Sequence, residues 1–281
     1  AFAEADGCLE VPGGRARLPA GRPASVAPRV RDGRLADLVF IGSHCQGMDL
    51  AFARLRARLG LTTKVIHTGS AGGVAAVRRG EADVAGIHLL GHDGSYNREA
   101  LAETDGRAVL VRGYRRRQGI LYRAAEHAVP PTLEALVAAS RGDVPGAAPR
   151  LRLLNRPRGA GTRVLLDDLL AALGIAGDQR GALAGYASEA RSHGAAAAAI
   201  AGRKADWGLG IESAARACGL GFVPLRDEEY DLLVPRAKLA RPAVLRLLEE
   251  LRSDGFRAEL ERLPGFRAHP ATGTVVSAPG E

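Results

Sequence analysis

One pattern occurs twice in this chain and constrains its fold more than any other feature. Val74 to Ile87 reads as a small-residue helix, a glycine-containing turn, Ala82-Asp83 and a short apolar run. Ala197 to Ile211 repeats that order around Ala205-Asp206. Helical spacing that gives way to a short apolar run marks a helix followed by a buried strand. Two such blocks far apart in sequence are most simply explained by two similar α/β lobes with a cleft between them. Alanine-rich composition inflates matches of this kind, so the echo stands as an expectation about the fold.

The rest of the chain fits that expectation. Its 281 residues suffice for two lobes with a sizeable core, and its 46% hydrophobic content is that of a globular chain. Aromatics make up only 4%, so the cores are expected to be aliphatic. Asp37–Gly42, Thr63–His67 and Asp83–His88 read as strands, with a helix from Met48 to Leu59 and another from Val74 to Arg79. Strand–helix–strand units this short predict parallel crossovers in an open sheet. Ligands in such sheets sit at the carboxyl ends of strands, where Ser43, His44, Ser70 and His88 fall. Arg107–Arg112 and Ile120–Arg123 look extended on either side of the basic Tyr114–Gln118, and Gly221–Leu225 and Glu229–Val234 form a second broken pair. The expected division is lobe one at 34–115 plus 227–281 and lobe two at 119–224. Each lobe is expected to carry its own sheet, with two crossovers near Gly113–Gln118 and Leu225–Glu229 joining them.

The stretch from Leu151 to Leu170 carries the chemistry most open to interpretation. Leu151–Leu154 reads as a strand and Val164–Leu173 as a helix, with Asn155-Arg-Pro-Arg-Gly-Ala-Gly-Thr-Arg163 between them. A strand that turns through glycines into a helix start presents free backbone N–H groups and the positive end of the helix dipole. Arg158 is the residue expected to supply charge, Thr162 and Ser70 to donate hydroxyl bonds, and Gly159 and Gly161 to let backbone N–H groups approach. His193, before an alanine-rich helix, is expected on the same cleft. A plain strand–helix turn with solvated arginines would have the same sequence, and both readings stay open. The final Gly-Lys-Ser/Thr of a nucleotide P-loop is missing, which argues against ATP or GTP.

Several function classes are disfavoured. The formal charge of +8 comes from scattered arginines, with no basic helix, zinc finger or aromatic-basic motif, so nucleic acid is not an expected partner. No apolar run reaches about 18 residues, so no transmembrane helix or membrane partner is expected, and cytoplasm is the default location. Cys8, Cys45 and Cys218 are odd in number and widely spaced, giving neither a disulfide framework nor a Cys-x-x-Cys site. His44, His67, His88, His92 and His193 lack zinc-type spacing, so no metal and no cofactor are expected. His44, His88 and His193 could instead be ligand donors if protonated. Ser43-His44 is no nucleophile–base pair by adjacency, and there is no Gly-x-Ser-x-Gly elbow. Asp83 and Asp206 are read as braces beneath the cleft, and Trp207 as core rather than cleft wall.

Two resemblances sharpen the reading. The echo, Asn155–Arg163, Gly185-Tyr186, Ser192-His193, Ala205–Gly210 and Glu229-Tyr-Asp-Leu together resemble type II periplasmic binding proteins and LysR-type effector domains, over about Leu35 to Pro264. They are most similar to the domain found fused to molybdopterin molybdenumtransferases or to helix-turn-helix regulators. Ala5-Asp-Gly-Cys-Leu-Glu-Val-Pro followed by Leu18-Pro-Ala-Gly-Arg-Pro-Ala-Ser-Val resembles the tail of that transferase's C-terminal β-domain. The chain, which starts at Ala1, thus reads as an excised part of such a fusion. The resemblance implies a two-lobed α/β fold with a ligand cleft between the lobes, and residues 1–33 as a short β appendage. It implies capture of a small anion, molybdate or tungstate before a carboxylate or phosphate, in a sensor linked to molybdenum cofactor biosynthesis. Catalytic activity is not expected of this fragment. The alternatives are the effector domain of a transcriptional regulator and an enzyme acting on a pterin-phosphate.

Overall fold

The computed structural model describes residues 7–9, 11, 23–28, 35–91, 93–143 and 150–276. At the N-terminus, β1 (Gly7–Leu9) pairs antiparallel with β2 (Val26–Pro28). Residues 1–6, 10, 12–22 and 29–33 of the expected β appendage lie outside the described residues, as does His92.

The first α/β block runs β3 (Leu38–Gly42), α1 (Gln46–Leu59), β4 (Thr63–His67), α2 (Gly69–Arg78) and β5 (Ala85–Ile87). β3 and β4 pair in parallel over five residues, and Phe40 bridges in parallel to Val84 beside β5. The helix expected from Val74 to Arg79 starts earlier, directly after Thr68, so that α2 takes in Gly69–Gly73 as well. A short α3 (Arg98–Ala102) leads into β6 (Ala108–Tyr122). Next come α4 (Leu133–Arg141), β7 (Leu153–Leu154), α5 (Gly161–Ala172), α6 (His193–Ala201), β8 (Trp207–Ile211) and α7 (Glu212–Ala217). The chain then returns along β9 (Gly221–Pro235) and finishes with α8 (Pro242–Arg252), α9 (Asp254–Leu260), β10 (Phe266–Ala268) and β11 (Val275–Val276).

The fold is two-lobed, but its lobes share strands, and this corrects the expectation of two separate sheets. β6 and β9 are each 15 residues long and pair antiparallel from Ala108↔Pro235 to Tyr122↔Gly221, a span of about 50 Å at strand rise. The basic Tyr114–Gln118 stretch stays in the ladder because acids lie opposite it. Arg115 faces Glu229, Arg116 faces Glu228 and Arg117 faces Asp227, and each of these pairs is also an ion pair. Opposite charges on facing strands support pairing where a run of like charge alone would break it. The register shifts at Val111/Tyr114 and at Gln118/Gly119, at the two ends of that basic stretch. The expected parallel crossovers are present in β3–β4 and β7–β8, but the larger sheet is mixed: β5 and β6 pair antiparallel with β9, and β8 pairs antiparallel with β6.

The echo is real down to its hydrogen bonds. Asp83 donates its N–H to the Val39 carbonyl at 2.9 Å, and its carboxylate accepts the Val39 N–H at 2.9 Å. Asp206 does the same with Arg152, at 2.8 and 2.7 Å. Each aspartate also meets an arginine, Arg241 for Asp83 and Arg123 for Asp206. In both lobes the aspartate thus ties the turn after a helix to the start of the neighbouring strand. Asp83 is the more deeply buried and is paired with Lys238 as well. Asp83→Ala would strip a buried carboxylate from two cations and one N–H. A loss of about 3 kcal/mol in denaturant unfolding is expected, and a variant within experimental error of the parent would refute the brace.

The few aromatics are concentrated rather than absent from the core. Phe40 and Phe52 pack edge to face, Tyr114 stacks on Tyr230 at 5.3 Å, and Phe256 and Phe266 close around Tyr114. From this cluster Tyr230 reaches the Ser43 carbonyl, to which its hydroxyl donates at 2.6 Å. Trp207 is fully buried in the second lobe's core, where its indole N–H donates to Ser140 Oγ at 2.8 Å.

Candidate anion-binding site

Strand ends of the first lobe deliver the first half of the site. Where β3 stops, Ser43 donates its N–H to Gly86 O at 2.9 Å, and its carbonyl accepts the Tyr230 hydroxyl at 2.6 Å. Where β5 stops, His88 donates its N–H to Ser70 Oγ at 3.1 Å. These anchors set Ser43 Oγ 2.8 Å from His88 Nε2, and His88 Nδ1 2.9 Å from Glu228 Oε2. Glu228 sits on β9 opposite Arg116, and both Arg116 Nε and Gln118 Nε2 donate to it. Ser43, His88, Arg116, Gln118 and Glu228 are all buried.

The second lobe supplies the other half. After β7, Asn155 Oδ1 accepts the Arg156 N–H at 2.9 Å, and Arg156 Nη1 donates to Ala190 O at 2.6 Å, which turns the guanidinium inward. The chain then loops through Pro157–Ala160 into α5. A Cβ at Gly161 would lie 2.5 Å from the His88 carbonyl and 2.6 Å from its Nδ1, so only glycine lets the α5 start come this close to the first lobe. Gly159, at φ +84°, faces Ala71 across the same gap. Thr162 and His193 are buried on this side, His193 opening α6 behind Ser192, which caps the helix by accepting the Ala195 N–H at 3.0 Å.

Between the lobes lies a hollow of about 360 Å³ lined by Ser43, His44, Arg156, Arg158, Gly159 and Ala160, among others. A more open hollow of about 650 Å³ lies at Leu90, Tyr96, Asp168, Arg226 and Asp227, with acids beside its one arginine. The smaller hollow carries the unbalanced charge. Two buried guanidiniums, Arg116 and Arg156, stand against one buried carboxylate, Glu228. Burial, and then repulsion from Arg116, pull Arg156 down to about 10. Burial and the two arginines hold the His193 imidazole well below its usual range. His88 is also pushed down, by burial first and by the two arginines, with Glu228 pulling the other way. Both histidines are therefore neutral, and the site keeps a net positive charge.

Arg116 Nη2, Arg156 Nε, Thr162 Oγ1 and His193 Nδ1 are buried with no hydrogen-bond partner among the described residues. Leaving such groups unpaired costs about 1–3 kcal/mol each, so their concentration around one cleft calls for a ligand that satisfies them.

The structure places the residues expected from sequence as follows. Ser43, His44, Arg158 and Gly159 line the hollow; His88 joins it through Ser43, and Gly161 abuts His88. Thr162 is buried in the first turn of α5, His193 is buried at the α6 start where Arg116, Arg156 and His88 act on it, and Ser70 stands behind His88, holding its backbone. Arg158 is exposed at the rim, whereas Arg156 is buried inside. Arg163, the third arginine of the motif, pairs with Asp167 and stacks on Tyr186 at 4.2 Å. Arg116, Gln118 and Glu228 were not expected here, nor was Arg156 singled out. His44 packs on His67 and meets Asp49 at 3.1 Å, and among the described residues no group of three or more His, Cys, Asp or Glu could hold a metal ion.

A two-lobed α/β chain with a polar, cationic cleft between its lobes belongs to the class of clamshell folds. The family is specific: a PBP superfamily domain matches residues 52–252, and the chain belongs to that family. It is 28% identical over 257 residues to YvgK, an uncharacterized protein of Bacillus subtilis (strain 168), covering 90% of this chain and 78% of that one. In fold it is similar to a phosphate ABC transporter substrate-binding protein with bound phosphate from Clostridium perfringens. That match has a TM-score of 0.65 at 12% identity and covers 83% of this chain and 99% of that one. It is also similar to the tungstate ABC transporter structure from Geobacter sulfurreducens, with a TM-score of 0.54 at 16% identity and coverage of 78% and 95%.

Proposed function

We propose that this chain captures a small oxyanion between its lobes and acts as a binding or sensor domain. The observation that carries this reading is the surplus of two buried guanidiniums, Arg116 and Arg156, over one buried carboxylate, Glu228, with Arg116 Nη2, Arg156 Nε and Thr162 Oγ1 buried and without a partner among the described residues. A tetrahedral anion has enough acceptor oxygens to meet these donors, and its charge offsets the surplus guanidinium. The bound phosphate of one structural relative and the tungstate named for another are in keeping with this chemistry. The likeness of residues 1–33 to the transferase tail favours molybdate and tungstate, in a cytoplasmic role beside molybdenum cofactor biosynthesis. As a regulator's effector domain the chain would use the same site.

The test is a thermal-shift and titration screen with molybdate, tungstate, phosphate, sulfate, a small carboxylate and a phosphate monoester. Saturation at about 100 Kd adds roughly 2.7 kcal/mol to stability. At least one oxyanion is expected to raise the melting temperature, and a screen in which none does would refute oxyanion capture.

One observation favours a second reading. Ser43, His88 and Glu228 line up as nucleophile, base and orienting carboxylate do in hydrolases. Release of alcohol from the phosphate monoester, lost in Ser43→Ala, would favour an enzyme acting on a phosphate ester such as a pterin-phosphate.

A further inference from the structure

We propose that the Ser43–His88–Glu228 chain makes capture of a fully deprotonated oxyanion proton-linked: each such anion enters with one proton, held on His88. The proposal rests on the anion-capture reading above and specifies the protonation state in which that site works.

The argument follows the hydrogens. Glu228 takes N–H donors from Arg116 and Gln118, and Arg116 and His88 outweigh burial and hold its carboxyl below the usual glutamate range. An ionised carboxylate can only accept, so the hydrogen in the 2.9 Å contact belongs to His88 Nδ1. A neutral imidazole has one N–H, which leaves Nε2 as a lone pair. Ser43 Oγ, 2.8 Å from that lone pair, must then donate its only hydrogen to it. What Ser43 turns toward the hollow is therefore an acceptor.

An acceptor at that position welcomes a ligand oxygen that brings a hydrogen, as hydrogen phosphate does. It repels the bare oxygen of molybdate or sulfate. A bare dianion is accommodated once a proton binds Nε2: the imidazolium then donates to Ser43 Oγ, and the serine hydrogen is freed to point at the anion. Glu228 already lies against Nδ1 as the counter-charge.

The groups around His88 make the two events cooperative. Glu228 on β9 favours the imidazolium; Arg116 on β6 and Arg156 after β7 oppose it. The His193 ring at the α6 start is neutral, the Tyr230 ring stacks at 6.0 Å, and Ser43, Ser70 and Gly161 bring no charge. In the free site burial first, and then the guanidiniums, keep the proton off. A dianion lodged between them cancels their field at the moment Ser43 needs the proton, and by linkage protonation tightens the anion equally.

The experiment is isothermal titration of the intact chain with molybdate, sulfate and phosphate. It is run above the ordinary imidazole range, at about pH 8 where phosphate is mostly the singly protonated dianion, in buffers of different ionisation enthalpy. Uptake of about one proton per molybdate or sulfate is expected, and about none per hydrogen phosphate. Molybdate affinity should fall about tenfold per pH unit over that range. Ser43→Ala and His88→Gln should each bring the molybdate uptake to about zero. Molybdate binding without proton uptake in the parent overturns the proposal, as does uptake that persists in both variants. Phosphate binding with rejection of both bare dianions overturns it too. Failure of every oxyanion to bind overturns oxyanion capture and this linkage together, whereas binding without uptake overturns the linkage alone.

Discussion

Arg156→Ala is expected to weaken oxyanion capture by about thirtyfold or more, from the 2–5 kcal/mol that truncating one partner of a buried charge contact typically costs. Arg156 is buried, its Nε has no partner among the described residues, and its Nη1 is fixed on Ala190 O at 2.6 Å. The guanidinium is thus aimed by the backbone before any ligand arrives, and little entropy is lost when the anion binds. Arg158→Ala should cost less than about tenfold, because an exposed rim charge is screened by solvent and mainly changes the rate of encounter. Folding stability should separate the two roles further. Arg156 is held down to about 10 by burial and by Arg116, so its removal relieves repulsion and should leave unfolding within about 1 kcal/mol of the parent. Titration of both variants with the best oxyanion from the screen decides the matter. A larger loss from Arg158 than from Arg156 would move the charge seat to the rim.

That contrast shows what the sequence could and could not disclose. Asn155-Arg-Pro-Arg-Gly-Ala-Gly-Thr-Arg163 marked the right loop, because glycines before a helix start and a local excess of arginine are local properties. Which arginine turns inward is not local. It depends on the Ala190 carbonyl, more than thirty positions away, and on Asp167 and Tyr186 holding Arg163 elsewhere. The two-lobed plan was legible through the repeated Ala-Asp, since each aspartate makes the same pair of bonds to the neighbouring strand start. The shared strands were missed because the basic Tyr114–Gln118, taken by itself, read as a break between two extended segments and a crossover between lobes. The complement of Arg115-Arg116-Arg117, namely Asp227-Glu228-Glu229, was in plain view, and matching the two triplets would have predicted both the long antiparallel pair and the buried Arg116–Glu228 contact. The antiparallel pairings of the long strands were missed for a related reason. Short strand–helix–strand units specify local crossovers, whereas β6 and β9 pair with partners that no local pattern announces.

Glu228 is where stability and site chemistry meet, and Glu228→Ala is expected to destabilise the fold by about 3–5 kcal/mol. Its carboxylate is the buried counter-ion of Arg116 and the acceptor for His88 Nδ1, and alanine leaves a buried guanidinium unneutralised. The pH dependence carries a definite sign. Burial pushes the Glu228 carboxyl up, but Arg116, His88 and their hydrogen bonds outweigh it, so the folded value lies below the ordinary one. A depressed carboxyl contributes stability that is fully present above its unfolded value of about 4.3 and is lost as pH falls through the folded value. The parent should therefore lose this increment only in acid, and the variant should lack it from neutral pH downward, giving a flatter acid limb. Denaturant unfolding from neutral to acid pH measures both. Should alanine prevent folding altogether, Glu228→Gln keeps the shape and one acceptor while removing the charge, and it should still unfold more readily than the parent at neutral pH. A glutamine variant as stable as the parent, with the same acid limb, would mean that Arg116 is neutralised by some other group, and the charge balance assigned to the cleft would have to be redrawn around that group.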